Sequence, residues 1–78
     1  MGIYKQLEDM KNFDKRVELL NINTTLKGYK IMIKTKKEYI QELKDIIFDI
    51  ILDNSNKEYI CRTYKDESEL YLLEYIRQ

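Results

Sequence analysis

The sequence predicts an α+β fold, a small and mostly antiparallel sheet of two to three strands packed against two or three helices. Three observations carry this expectation. Apolar residues recur at helical spacing in two separate stretches, one near the N-terminus and one over residues 36–53. Tyr29–Lys34 and Glu58–Tyr64 are instead rich in β-branched and aromatic residues at strand length. These segments interleave without a repeating βαβ series, and 78 residues without a linker or low-complexity tract make one domain, 1–78.

Taken in order, Ile3, Leu7, Met10, Val17 and Leu20 fall three, four or seven residues apart, which predicts a helix from residue 3 to about 12, or on to 20. Residues 15–22 serve equally well as a strand. Gly28 is the only interior glycine and marks a turn, after which Ile31 and Ile33 share one face of an alternating strand. Thr35-Lys36-Lys37-Glu38 has the spacing of a capping box, where hydroxyl and carboxylate each satisfy an orphan backbone N–H. The long helix it opens, about 36–53, ends at the polar run Asp53-Asn54-Ser55-Asn56. Glu58–Tyr64 is a strand. Asp66-Glu67-Ser68-Glu69 resembles a second cap opening a final helix, 67–77, with a hairpin of 58–64 and 69–76 as the rival arrangement.

At 100° per residue the long helix has distinct faces. Tyr39, Ile40, Leu43, Ile46, Ile47, Ile50 and Ile51 fall within an arc of roughly 140°, enough to bury the helix on a sheet. Glu38, Glu42, Asp45, Asp49 and Asp53 line an opposite arc of about 80°. Phe48 and Leu52 lie one turn apart beyond the acids, cut off from the apolar stripe by Lys44 and Gln41. If the helix packs on one side only, they are an exposed apolar pair beside a carboxylate row, which is the composition of an interface. Coverage of the pair by another element of the same domain is the competing expectation.

Charge is distributed unevenly beneath a net charge of zero. Residues 1–37 hold nine Lys/Arg against four Asp/Glu, and residues 38–78 hold five against ten. Either the halves pack together and offset one another, or they form two surfaces with different partners. Lys27, Lys30, Lys34, Lys36 and Lys37 crowd eleven residues around Tyr29, the pattern of a strand tracking phosphates while an aromatic ring stacks on a base. A solvated strand face is the plainer reading, since an isoelectric point near 6.3 lacks a basic footprint. Tyr71 and Tyr75 would stand one turn apart on a C-terminal helix and offer a partner contact.

Chemistry-bearing motifs are few. The chain has no histidine and one cysteine, so it forms neither an internal disulfide nor a Cys/His zinc site, and Cys61 has no imidazole to activate it. No Gly-rich phosphate loop and no nucleophile–base pair appear. The expectation is a protein that is not an enzyme and uses no metal or cofactor. No apolar run approaches the 18 or so residues of a membrane span and no leader pattern is visible, so the chain reads as cytoplasmic. Lys, Ile, Tyr and Asn supply 34 of the 78 residues, the residues of A/T-rich codons. That composition points to a low-GC genome and fits a phage or other mobile element.

The functional expectation is a small inhibitor or modulator that blocks a basic, nucleic-acid-binding surface of a larger protein. Glu38, Glu42, Asp45, Asp49 and Asp53 would supply charge and Phe48 and Leu52 an apolar anchor. The alternative is a nucleic-acid-binding regulator using Lys27, Tyr29, Lys30, Lys34, Lys36 and Lys37. A domain this small exposes much of its surface, so a homodimer is also expected.

Overall fold

The computed structural model describes residues 2–65 and 68–78. Helix α1 (Ile3–Phe13) precedes strand β1 (Leu19–Thr25), which turns back into β2 (Gly28–Lys34). Helix α2 (Ile40–Asp53) then crosses to β3 (Tyr59–Lys65), and β4 (Leu70–Arg77) follows. The sheet runs β1-β2-β4-β3 with every neighbouring pair antiparallel. Strands β2 and β3 are therefore parallel with β4 inserted between them, a split βαβ unit. The class is α+β as the sequence indicates, with two helices and four strands where two to three were expected.

The additional strand is β4, on residues expected to form a final helix over 67–77. Asp66 and Glu67 of its expected cap lie outside the described residues. The outcome follows from pairing that local signals do not contain. Tyr71, Leu73 and Tyr75 alternate into the core at 5%, 0% and 1% exposure, while both edges of the strand pair, with β2 and with β3. Two ladders and a buried face outweigh a helix cap worth about 1 kcal/mol. Both tyrosines point inward, so the partner contact expected of them on a helix does not form.

The start of α2 is corrected as well. Thr35 is fully buried, and its hydroxyl donates to the Arg16 carbonyl at 2.7 Å instead of capping a helix. Its backbone N–H donates to the Glu69 carbonyl at 3.1 Å. With Thr35 held in the sheet-side loop, the helix starts at Ile40 rather than near 36, and Glu38 falls in the turn before it. Among the alternatives for α1, the shorter holds: it ends at Phe13, and β1 takes residues 19–25.

Gly28 opens β2 at φ +154°, and a Cβ built there would stand 1.9 Å from the Tyr75 carbonyl oxygen. Only glycine lets β2 approach β4 so closely at this turn.

Both helices lie on one face of the sheet. Ile3, Leu7 and Met10 of α1 and Leu43, Ile47 and Ile51 of α2 pack over Leu20, Ile31, Ile33 and Leu73. Full burial of each such side chain contributes about 1.5–3 kcal/mol. Among the described residues no element covers the other sheet face, which leaves the outward residues of all four strands as surface.

Candidate functional site

The acid row sits on the solvent side of α2. Glu42, Asp45, Asp49 and Asp53 are all exposed along the helix, and Glu38, also exposed, precedes it in the turn. Between Glu42 and Asp53 the helix rises by about 16 Å. Among the described residues one cation meets the row: Arg16 Nη1 donates to Glu42 Oε2 at 2.8 Å while its other nitrogens grip Asp14 at 2.7 and 2.9 Å. The Arg16 guanidinium holds the Asp14 carboxyl below the usual carboxylate range. Asp45 accepts from Gln41 Nε2 at 3.1 Å, one helical turn away.

Folding gives little reason for this placement. Like charges three and four residues apart cost a few tenths of a kcal/mol each. The final turn of α2 has no basic residue and ends on Asp53, where carboxylates oppose the partial negative charge of the helix C-terminus.

The two apolar residues beside the row part company. Phe48 is half-buried and stacks on Tyr75, ring centroids 6.1 Å apart and planes 21° from parallel. Tyr75 also donates its hydroxyl to the Lys44 carbonyl at 2.9 Å. These contacts turn the buried stripe of α2 to Leu43, Ile47 and Ile51, flanked by Ile40, Ile50 and Phe48. That is a rotation of roughly 40° from the arc that spacing alone indicates. Phe48 and Leu52 are thus not an exposed pair. Leu52 remains 37% exposed, and Ile46, expected in the buried arc, is also 37% exposed on the opposite flank of the acids. The row is bordered by one aliphatic side chain on each side.

The lysine segment is dispersed. Lys30 and Lys34 project from the open face of β2, Lys27 sits in the β1–β2 turn, and Lys36 and Lys37 stand in the loop before α2. Tyr29 lies on the opposite, helix-covered face, its ring 6.2 Å from that of Tyr59. Burial raises its phenol pKa above the ordinary value. A base stacked on Tyr29 and phosphates held by Lys30 and Lys34 would therefore be on different sides of the sheet.

The largest surface that sequence reasoning missed is the open sheet face. Met32 and Tyr64 are 38% and 47% exposed there, and with Leu70 and Leu72 they line a shallow hollow of about 250 Å³. Ile60 and Ile76 extend the apolar area towards the other end of the strands. Lys30, Glu74 and Arg62 form one cross-strand row through it. The signal was available in "LYLLEYI": as a strand, this run is apolar on both faces, the composition of a strand covered on both sides.

Cys61 is half-buried on β3 and packs against the core. Among the described residues no group of carboxylates and thiolates converges to hold a metal ion, and no helix is long and apolar enough to cross a membrane. In comparisons with known proteins, no family model, no curated protein and no solved structure matches this chain.

Proposed function

We propose that this protein is a non-enzymatic binding module of the cytoplasm that docks the outer face of α2 on a basic surface of a larger protein, as an inhibitor or modulator encoded by a mobile element of a low-GC host. The observation that carries the reading is the line of exposed carboxylates on α2, extended to a helix C-terminus that disfavours them. Successive acids stand about 5–6 Å apart, a row of negative charge that a groove built for nucleic-acid phosphates would accept. Complementary charge speeds association and sets orientation, while Ile46 and Leu52 on the flanks supply the apolar contact that slows release. The target is blocked by occlusion, with no bond made or broken.

A second reading, binding of nucleic acid, is favoured by one observation: Lys30, Lys34 and Arg62 stand on the same open face as Tyr64. Affinity capture from a low-GC host lysate, with and without nuclease, separates the two. A partner protein recovered equally after nuclease treatment, and carrying a basic groove, supports docking through α2. Recovery that disappears with nuclease supports the second reading and removes the first.

A further inference from the structure

The open sheet face is laid out to match itself, and we infer that two copies of this chain pair face to face through it. Three of the four outward residues of β4 are apolar, Leu70, Leu72 and Ile76, although β4 is a central strand with water on that side. An antiparallel sheet with one wet face normally alternates apolar inside and polar outside. Leu19 of β1, Met32 of β2 and Ile60 and Tyr64 of β3 add to these residues of β4, so the apolar area reaches all four strands and is crossed by the polar row Asn23, Lys30, Glu74 and Arg62.

The strand register defines a two-fold axis. Row by row across the sheet, β2 and β4 place Gly28 beside Ile76, Lys30 beside Glu74, and Met32 beside Leu72. An axis running between β2 and β4, parallel to the strands and just above the face, exchanges these two strands between copies while keeping each row. Lys30 then lies over Glu74 of the second copy and Glu74 over its Lys30, an isologous pair of opposite charges. Met32 and Leu72 meet their opposites at the axis, where the energetically dominant contacts of an interface belong. Ile76 lies over the second copy's Gly28, which has no side chain to obstruct it, and Arg62, the outer base of the charged row, meets Asn23 rather than a like charge. The other in-plane axis, perpendicular to the strands through the middle of the face, would set Lys30 over Met32 and Glu74 over Leu72, leaving both charges against apolar side chains. Keeping strand directions aligned matches the usual packing of two twisted sheets, at about 30°.

Size is sufficient. Four strands of about seven residues measure roughly 19 by 24 Å. Two such faces cover about 900 Å² in flat projection, and side-chain relief takes the buried area past the roughly 1,000 Å² expected of a specific interface. The pairing leaves both α2 helices on the outside of the dimer, so each acid row stays free and the assembly is bivalent. The inference does not depend on what the acid row binds.

Sedimentation equilibrium at high micromolar concentration tests it, with circular dichroism confirming the fold of every variant. The wild type should weigh twice the 9.6 kDa of one chain. Leu72→Lys should raise the dissociation constant by at least about tenfold. Lys30→Glu and Glu74→Lys should each be monomeric alone, because each sets like charges against each other across the axis. Mixed together they should form a heterodimer, since the carboxylate introduced at position 30 of one chain then faces the ammonium introduced at position 74 of the other. Within each chain the like-charged neighbours remain, so mixing cannot restore anything but contact between copies. A wild-type monomer at these concentrations, or single variants that stay monomeric when mixed, overturns the inference. Loss of single-strand oligonucleotide binding on Lys30→Glu in a protein that is always monomeric would likewise overturn it and assign the face to nucleic acid.

Discussion

Replacing Tyr75 by phenylalanine tests what sets the angle of α2, and hence which of its faces meets water. The side chain is 1% exposed, stacks on Phe48 and donates its hydroxyl to the Lys44 carbonyl at 2.9 Å. Phenylalanine keeps the ring and removes one hydrogen bond, a cost of about 1 kcal/mol at neutral pH. Burial also drives the phenol pKa far above its ordinary 10.0. The unfolded chain ionises at that ordinary value, so above it the unfolded state releases a proton that the folded state retains. The stability contributed by the neutral buried phenol is therefore complete below about pH 10 and falls by about 1.4 kcal/mol per pH unit above it. The two effects oppose each other and cancel near about pH 10.7, where the ionisation loss reaches roughly 1 kcal/mol. Urea unfolding followed by circular dichroism should find the wild type more stable by about 1 kcal/mol at neutral pH, and Tyr75→Phe more stable by about 1 kcal/mol at pH 11.5. Stability curves that keep a constant separation across that range would refute the placement of Tyr75 under α2.

Gly28→Ala should be strongly destabilising, because the new Cβ would fall 1.9 Å from a backbone oxygen at a φ of +154°. A loss of at least about 3 kcal/mol, read as a fall in Tm of roughly 12–24 °C, is expected; a fall under about 5 °C would show that β2 and β4 are not so close. Asp53→Lys should instead stabilise, by about 0.3–1 kcal/mol at low salt, since it puts a cation at the C-terminus of α2. Thermal unfolding that is unchanged or worse would remove the claim that folding disfavours an acid there.

Much of the architecture is legible in the sequence because it is written in local periodicity. The stripe Ile3, Leu7, Met10 gives α1, the pair Ile31 and Ile33 gives the inner face of β2, and Leu43, Ile47 and Ile51 give the core of α2. What stayed hidden depends on partners distant in sequence. Residues 70–77 carry apolar side chains at spacings that suit a helix or a strand, and only the insertion between β2 and β3 decides it. Thr35 has every local feature of a cap, yet Arg16, nineteen residues earlier, captures its hydroxyl. Phe48 lies outside the apolar arc on a helical wheel and is covered because Tyr75, from another element, rises to meet it. The acid row was visible because exposed residues need no partner to reveal them. Most of the open sheet face was not, because its apolar side chains come from four strands aligned only by tertiary register.

The central claim, that the outer face of α2 is a protein-docking surface, is tested most directly by reversing its charge. The triple variant Glu42→Lys, Asp45→Lys, Asp49→Lys loses the exposed Arg16–Glu42 pair, worth about 0.2–1 kcal/mol. It gains relief of carboxylate repulsion of similar size. Its unfolding free energy should therefore stay within about 1 kcal/mol of wild type, while capture of the nuclease-resistant partner at about 150 mM salt should disappear. A folded triple variant that still recovers the same partner at that salt would contradict the account and leave the acid row a solvated helix face.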